Sequence, residues 1–180
     1  MHPDRERWNA RYRAGVRHET PDVNLIMHRE RLARGRALDV AGGAGDNAAL
    51  LALAGWDVAM CDVSDEAVAR ARARAAELRV AVRIVQADAM RLPFRGPFDL
   101  VVCTFYHERA LAPVLAALLR PGGTLFYETF TTATLAYTPE FRRAFCVEPG
   151  ELRSLFGLSE VLYKEEDDGR SATAVFIGRR

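Results

Sequence analysis

Leu38-Asp39-Val40-Ala41-Gly42-Gly43-Ala44-Gly45-Asp46-Asn47-Ala48 is the stretch whose reading decides the fold. An apolar run of β character, residues 36–41, leads into it. An Ala/Leu-rich stretch of helical length, residues 46–54, leads out. Three glycines in four positions let the backbone turn tightly and approach a ligand without Cβ clashes. A plain strand-to-helix turn needs only one. Asp39, near the strand end, is placed to accept hydrogen bonds from a ligand amine or from loop N–H groups. Together these features point to a nucleotide-like site at the mouth of a βαβ unit.

The pattern repeats outward. Further runs of β character lie at 57–62, 80–85, 98–103 and 123–130, with helical stretches at 65–78 and 109–119. Strands alternating with helices read as a parallel sheet, and right-handed crossovers place helices on both faces. Residues 67–76 alternate in period two, yet alanine and arginine are strong helix formers, so a helix is expected there, capped by Ser64. Towards the end, Pro149-Gly150-Glu151 opens a short helix at 150–156. Residues 159–166 and 172–178 read as a hairpin around Asp167-Asp168-Gly169. Residues 4–14 and 22–34 read as two amphipathic helices parted by Thr20-Pro21.

The spacing Gly43-x-Gly45-x-x-Ala48, with Asp62 about 20 residues on, satisfies a dinucleotide-binding pattern. The pattern alone does not separate a nicotinamide enzyme from one that uses S-adenosylmethionine, because both hold an adenosine ribose over the same strand ends. The rest of the chain favours the second. Asp88, after the third strand, can accept a hydrogen bond from an adenine amine. Pro121-Gly122 suits the centre of a type II turn before the fifth strand. No Tyr-x-x-x-Lys pair exists, since Glu160 stands four before Lys164, the sole lysine.

These residues resemble the class I S-adenosylmethionine-dependent methyltransferases, and within them the small tellurite-resistance and thiopurine-methyltransferase-like proteins. The subgroup's Ala-Leu-Asp-Leu-Ala-Cys-Gly-x-Gly-Arg-Asn-Ala is matched by residues 37–48, with Gly42 for the cysteine and Asp46 for the arginine. The second departure removes a positive charge beside the cofactor. Trp8-x-x-x-Tyr12, Asp62-Val63-Ser64, Asp88-x-x-x-Leu92-Pro93-Phe94, Pro121-Gly122-Gly123 and Pro149-Gly150-Glu151-Leu152 follow in the right order. The resemblance implies an α/β, Rossmann-like fold with a mostly parallel seven-stranded sheet ending in an antiparallel hairpin. It implies one domain over 1–180, with helices in 1–35 as a lid and a sheet core over 36–180.

It also implies site roles. Asp39 and Ala41, with the Gly42–Gly45 loop (Gly42, Gly43, Gly45), would hold the methionine part of S-adenosylmethionine. Asp62 and Val63 would meet the ribose, and Asp88 and Ala89 the adenine. Cys103 and Thr104 would line the methyl-transfer end, with Trp8 and Tyr12 as cover. His107 and Tyr106 are the candidate bases, and Glu128 a third. S-adenosylhomocysteine would be the product and a small molecule the acceptor. A non-catalytic cofactor-binding protein and a nicotinamide oxidoreductase are the rival readings.

Composition sets the outer limits. Net charge is +1 from 25 basic and 24 acidic residues, which disfavours a protein living on nucleic-acid phosphates. Residues 1–36 carry nine arginines against five acids, a mildly positive front whose plain reading is a solvated helical face. The 180 residues suit one domain. No apolar run reaches the ~20 residues of a membrane span. The charged start is not a secretion signal. Three cysteines and four histidines form no disulfide framework or metal-ligand pattern, so reduced thiols, a cytoplasmic location and no metal are expected. Both monomer and homodimer stay open.

Overall fold

The computed structural model describes residues 3–15 and 20–180. Arg17 and His18 of the positive front fall outside them. Helix α1 (Pro3–Arg13) and helix α2 (Val23–His28) come first. Then β1 (Arg36–Val40), α3 (Asp46–Leu53), β2 (Asp57–Asp62), α4 (Asp65–Glu77) and β3 (Val82–Gln86) alternate, followed by β4 (Phe98–Thr104), α5 (Ala112–Leu118) and β5 (Leu119–Phe130). A one-turn helix α6 (Leu152–Leu155) precedes β6 (Ser159–Asp167) and β7 (Ala172–Arg179). The seven strands order as β3-β2-β1-β4-β5-β7-β6. β1 to β5 are parallel, and β7 lies antiparallel to both β5 and β6. The chain steps from β1 outward to β3, then returns to the other side of β1 as β4. That reversal is a topological switch point, where open α/β sheets bind ligands at their carboxyl edge.

Period-two alternation gives the sheet two apolar faces. Leu100, Val102, Phe126 and Ile177 pack with Leu25, Ala48, Leu51 and Ala71 of α2, α3 and α4. Val101, Leu125, Tyr127 and Phe176 pack on the other face with Leu115, Leu152 and Phe156, from α5, α6 and the residue after α6. Residues 67–76 are helical as expected, with the Ser64 hydroxyl accepting from the Ala67 N–H at 3.1 Å.

Several boundaries differ from expectation, each for a local reason. β3 starts at Val82, not 80, because Arg79 (φ +54°) and Val80 close α4. The Arg79 N–H bonds to the Ala76 carbonyl and the Val80 N–H to the Ala75 carbonyl, a Schellman-type cap. The second helix gives way to a 3-10 turn at Arg29–Arg31 and ends there, because the sheet draws in the residues beyond it. The Ala33 N–H donates to Thr124 Oγ1 and the Ala33 carbonyl accepts from the Trp56 indole. The helix expected over 109–119 is a 3-10 turn at Arg109–Leu111 followed by α5, with Pro113 in its first turn. β5 begins at Leu119, and the expected Pro121-Gly122 turn is a loop-out within it. Register passes from Phe98–Leu119 to Leu100–Thr124, and Gly122 takes φ +76°.

Leu100 is fully buried at the centre of β4. Leu100→Ala is expected to lower stability by about 2–5 kcal/mol, measured by urea unfolding.

Candidate active site

At the switch point the chain leaves β1 through a bend built on close contacts. A Cβ at Gly42 would sit 2.6 Å from Asp39 Oδ2, and one at Gly45 (φ +80°) would sit 2.8 Å from the Ala71 Cβ. Larger residues there would push the Asp39 carboxylate or α4 away. The bend is also held from the side. Asp62, at the end of β2, accepts the Gly43 N–H on Oδ2 at 3.0 Å and the Ser64 N–H on Oδ1 at 2.8 Å.

A cleft opens over this bend. Counting its open mouth, it holds about 1050 Å³ not filled by protein atoms. Of the residues singled out from sequence, Ala41, Gly42, Gly43, Asp62 and Val63 line its floor. Asp88, Ala89, Thr104 and Tyr106 line the far wall, and Trp8 and Tyr12 of α1 line the near one. Asp88 also has a turn role, accepting the Met90 N–H at 2.9 Å. Trp8 and Tyr12 lie ring to ring at 6.3 Å. α1 is tied to α4 through Arg5–Asp65 at 2.8 Å, Arg13–Glu66 at 2.8 Å and the Ser64 hydroxyl donating to Asn9 Oδ1 at 2.7 Å.

Asp39, Gly45, Cys103 and His107 do not line the cleft. Asp39 lies beneath Gly42, fully buried, and neither of its oxygens meets a hydrogen-bond partner in good geometry. The Ala48 amide N–H approaches closely enough to favour its charge, but burial and the nearby Asp62 prevail and push its pKa up to about 8. Gly45 sits behind the bend against α4. Cys103 is fully buried, because strand alternation turns it to the α5 face with Val101. His107 is buried as well, its Nδ1 2.9 Å from the Tyr127 hydroxyl. That hydroxyl gives its single proton to the Tyr106 carbonyl at 2.9 Å, so His107 must donate from Nδ1. Burial, aided by Arg109, lowers the His107 pKa. The pair Tyr127–His107 therefore braces the corner that carries Tyr106.

Ala44 of the glycine loop and Phe105, expected with residues 103–107 at the methyl-transfer end, also line the cleft, and it takes residues to which the sequence assigned no site role: Asp4, Thr20, Asp22, Asp46, Asn47 and Ala87. Asp22 caps α2, its Oδ1 accepting the Leu25 N–H at 2.8 Å. Asp46 begins α3, where a carboxylate suits the helix dipole, and pairs with Arg74 of α4 at 2.9 Å. Phe105 follows β4 with φ +54°, an uncommon conformation for an aromatic residue, and shows its ring to the cleft.

The fold matches that of solved methyltransferase structures. The magnesium protoporphyrin IX methyltransferase of Synechocystis PCC 6803, solved with bound S-adenosylhomocysteine, superposes with a TM-score of 0.76. The alignment covers 98% of each chain at 18% identity. This chain has the class I methyltransferase fold. TehB from Haemophilus influenzae shares that fold at a TM-score of 0.74 and 15% identity, over 98% of this chain and 66% of that one. Residues 37–123 match the family model of a methyltransferase domain. By sequence, the chain is 40% identical over 104 residues to the demethylmenaquinone methyltransferase of Beutenbergia cavernae, covering 54% of this chain. It spans about half the length of the curated relatives it matches, 41% of this one. Among the described residues, no helix is long and apolar enough to cross a membrane.

The raised Asp39 pKa makes stability depend on pH. Its folded value of about 8 exceeds an unfolded value near 4, so its contribution is present below pH ~4 and is lost as pH rises through about 8. Asp39→Asn is expected to remove up to about 1.4 kcal/mol per pH unit from that slope, read from urea melts of the ligand-free protein between pH 5 and pH 9.

Proposed function

We propose that this chain is an S-adenosylmethionine-dependent methyltransferase acting on a small-molecule acceptor, with residues 1–35 covering one catalytic domain. The observation that carries the reading is the pairing of a steric cradle with a buried carboxyl group whose hydrogen-bonding capacity is unmet. The glycine bend leaves open space over a buried carboxylate that lacks a well-formed hydrogen bond. A ligand bearing an ammonium group would supply what Asp39 lacks. Asp62 accepts the Gly43 and Ser64 N–H groups, and the Val63 N–H also favours its charge; a carboxylate offers about four acceptor positions, which leaves capacity for a ribose hydroxyl. Asp88 and the Ala89 backbone stand where an adenine edge would end. Trp8 and Tyr12 would close over the middle, where aromatic faces favour a cation.

S-adenosylmethionine, when bound, supplies a methyl group already activated by its sulfonium charge. The chain's own work is then alignment and exclusion of water. Thr104, Phe105 and Tyr106 form the lip at which an acceptor would meet the methyl group. Tyr106 is a poor base-side partner, since burial and Asp88 raise its pKa well above the usual phenol range. It positions the acceptor instead, with His107 bracing it from behind through Tyr127. The methyltransferases it resembles in sequence support this reading, as does the bound S-adenosylhomocysteine of the Synechocystis neighbour.

Asp62→Ala is expected to weaken S-adenosylhomocysteine binding tenfold or more in titration calorimetry, since a ribose partner and the anchor of Gly43 go together. Heat with NADH and none with S-adenosylhomocysteine would reverse the assignment.

A further inference from the structure

One carboxyl pair beside the cleft has no part in holding the cofactor. Glu128 lies two residues before the end of β5, directly beside Thr104 of β4, and is only 4% exposed. Its carboxyl neighbours that of Asp22, which lines the cleft. Asn24 Nδ2 donates to both Glu128 oxygens at 3.2 and 3.1 Å, and to Glu166 Oε2 at 3.0 Å. Lys164 holds Glu166 at 2.9 Å. The main chain locks the pair to the lip of the site. The Asp22 N–H donates to Asn47 Oδ1 at 2.8 Å, Asn47 Nδ2 donates to Thr104 Oγ1 at 3.1 Å, and the Phe105 N–H donates to the Glu128 carbonyl at 2.8 Å. Asp22 therefore sits at the methyl-transfer end, away from Asp62 and Asp88.

The surroundings favour a cation there. The described lining contains Asp4, Asp22, Asp46, Asp62 and Asp88, and no arginine, lysine or histidine. Asp39 lies beneath it, fully buried and without a hydrogen-bond partner in good geometry. An oxyanion, carboxylate or thiolate acceptor would enter against like charge in a partly dehydrated cleft. Phe105 offers an aromatic wall, backed by Phe130 at 5.1 Å. Burial, and for Glu128 the neighbouring Asp22, raises both carboxyls above their usual range, Glu128 to about 8. At about 8, Glu128 keeps its proton at neutral pH.

We propose that Asp22, with Glu128 behind it, selects an amine as the methyl acceptor and takes the proton that the amine's ammonium form must lose. This rests on the methyltransferase reading above. The ammonium binds against the Asp22 carboxylate, and its proton passes to Asp22. The nitrogen keeps the electron pair of the broken N–H bond and becomes a neutral nucleophile facing the lip of the cleft. Glu128 stays protonated and donates to Asp22, which keeps the Asp22 proton mobile towards solvent. Asp22 touches the acceptor; Glu128 is a positioning residue.

The test separates cofactor from acceptor. Protein saturated with S-adenosylhomocysteine is titrated by calorimetry with benzylamine, 2-phenylethylamine and tryptamine, with their alcohol and carboxylate counterparts, and with selenite. At least one amine should bind tenfold or more tightly than its alcohol. Asp22→Asn should abolish that preference while S-adenosylhomocysteine affinity stays within twofold. In turnover with radiolabelled S-adenosylmethionine, Glu128→Gln should lower kcat tenfold or more and leave KM for the amine within threefold. Preference for a carboxylate or selenite, no binding by any amine, or an amine preference that survives Asp22→Asn overturns the proposal and leaves the methyltransferase reading standing. Failure of S-adenosylhomocysteine itself to bind overturns both.

Discussion

The Asp62 carboxylate holds the bend after β1 in place, and the rest of the cleft depends on that hold. It accepts the Gly43 N–H on one oxygen and the Ser64 N–H on the other. One buried side chain thus fixes both the glycine loop and the start of α4. Ser64 extends the link, because its hydroxyl caps α4 and donates to Asn9 of α1. Loop, helix and cover are therefore set by one short hydrogen-bonded chain. Buried polar groups of this kind are costly unless satisfied. Here the satisfied ones build the frame, and the unsatisfied Asp39 lies at its centre.

Charge is the second theme. The described residues leave a ring of carboxylates around the cleft with few cations facing them. Arg74 answers Asp46, and Arg5 answers Asp65 outside the cleft. Arg7 answers Asp4 at 2.9 Å, and Arg7 and Arg11 also stack on Trp8 at the rim.

Much of this was legible in the residues. The glycine run between a β-rich and an Ala-rich segment gave the switch point, and alanine with arginine over 67–76 gave α4 despite its misleading alternation. Boundaries were harder, because distant partners set them: Thr124 and Trp56 end the second helical segment at residues far from its own sequence. In the site, residues on the bend and at strand ends were recoverable from spacing. Asp22 was not, because a proline followed by an aspartate reads as helix punctuation, and only the fold brings it to Glu128, 106 positions away. Cys103 and His107 show the opposite effect. Their places at and just past the end of β4 made them look reachable, but the parity of β4 and the Tyr127 hydroxyl draw them into the core.

The attachment of α1 to α4 carries a kinetic consequence. Two of its clasps, Arg5 to Asp65 and Arg13 to Glu66, lie out in water, where dissolved ions weaken them. The third, Asn9 to Ser64, is shielded from solvent. In the proposed function α1 covers the cofactor, and with two of its three clasps salt-sensitive, the dwell time of that ligand should shorten as ionic strength rises.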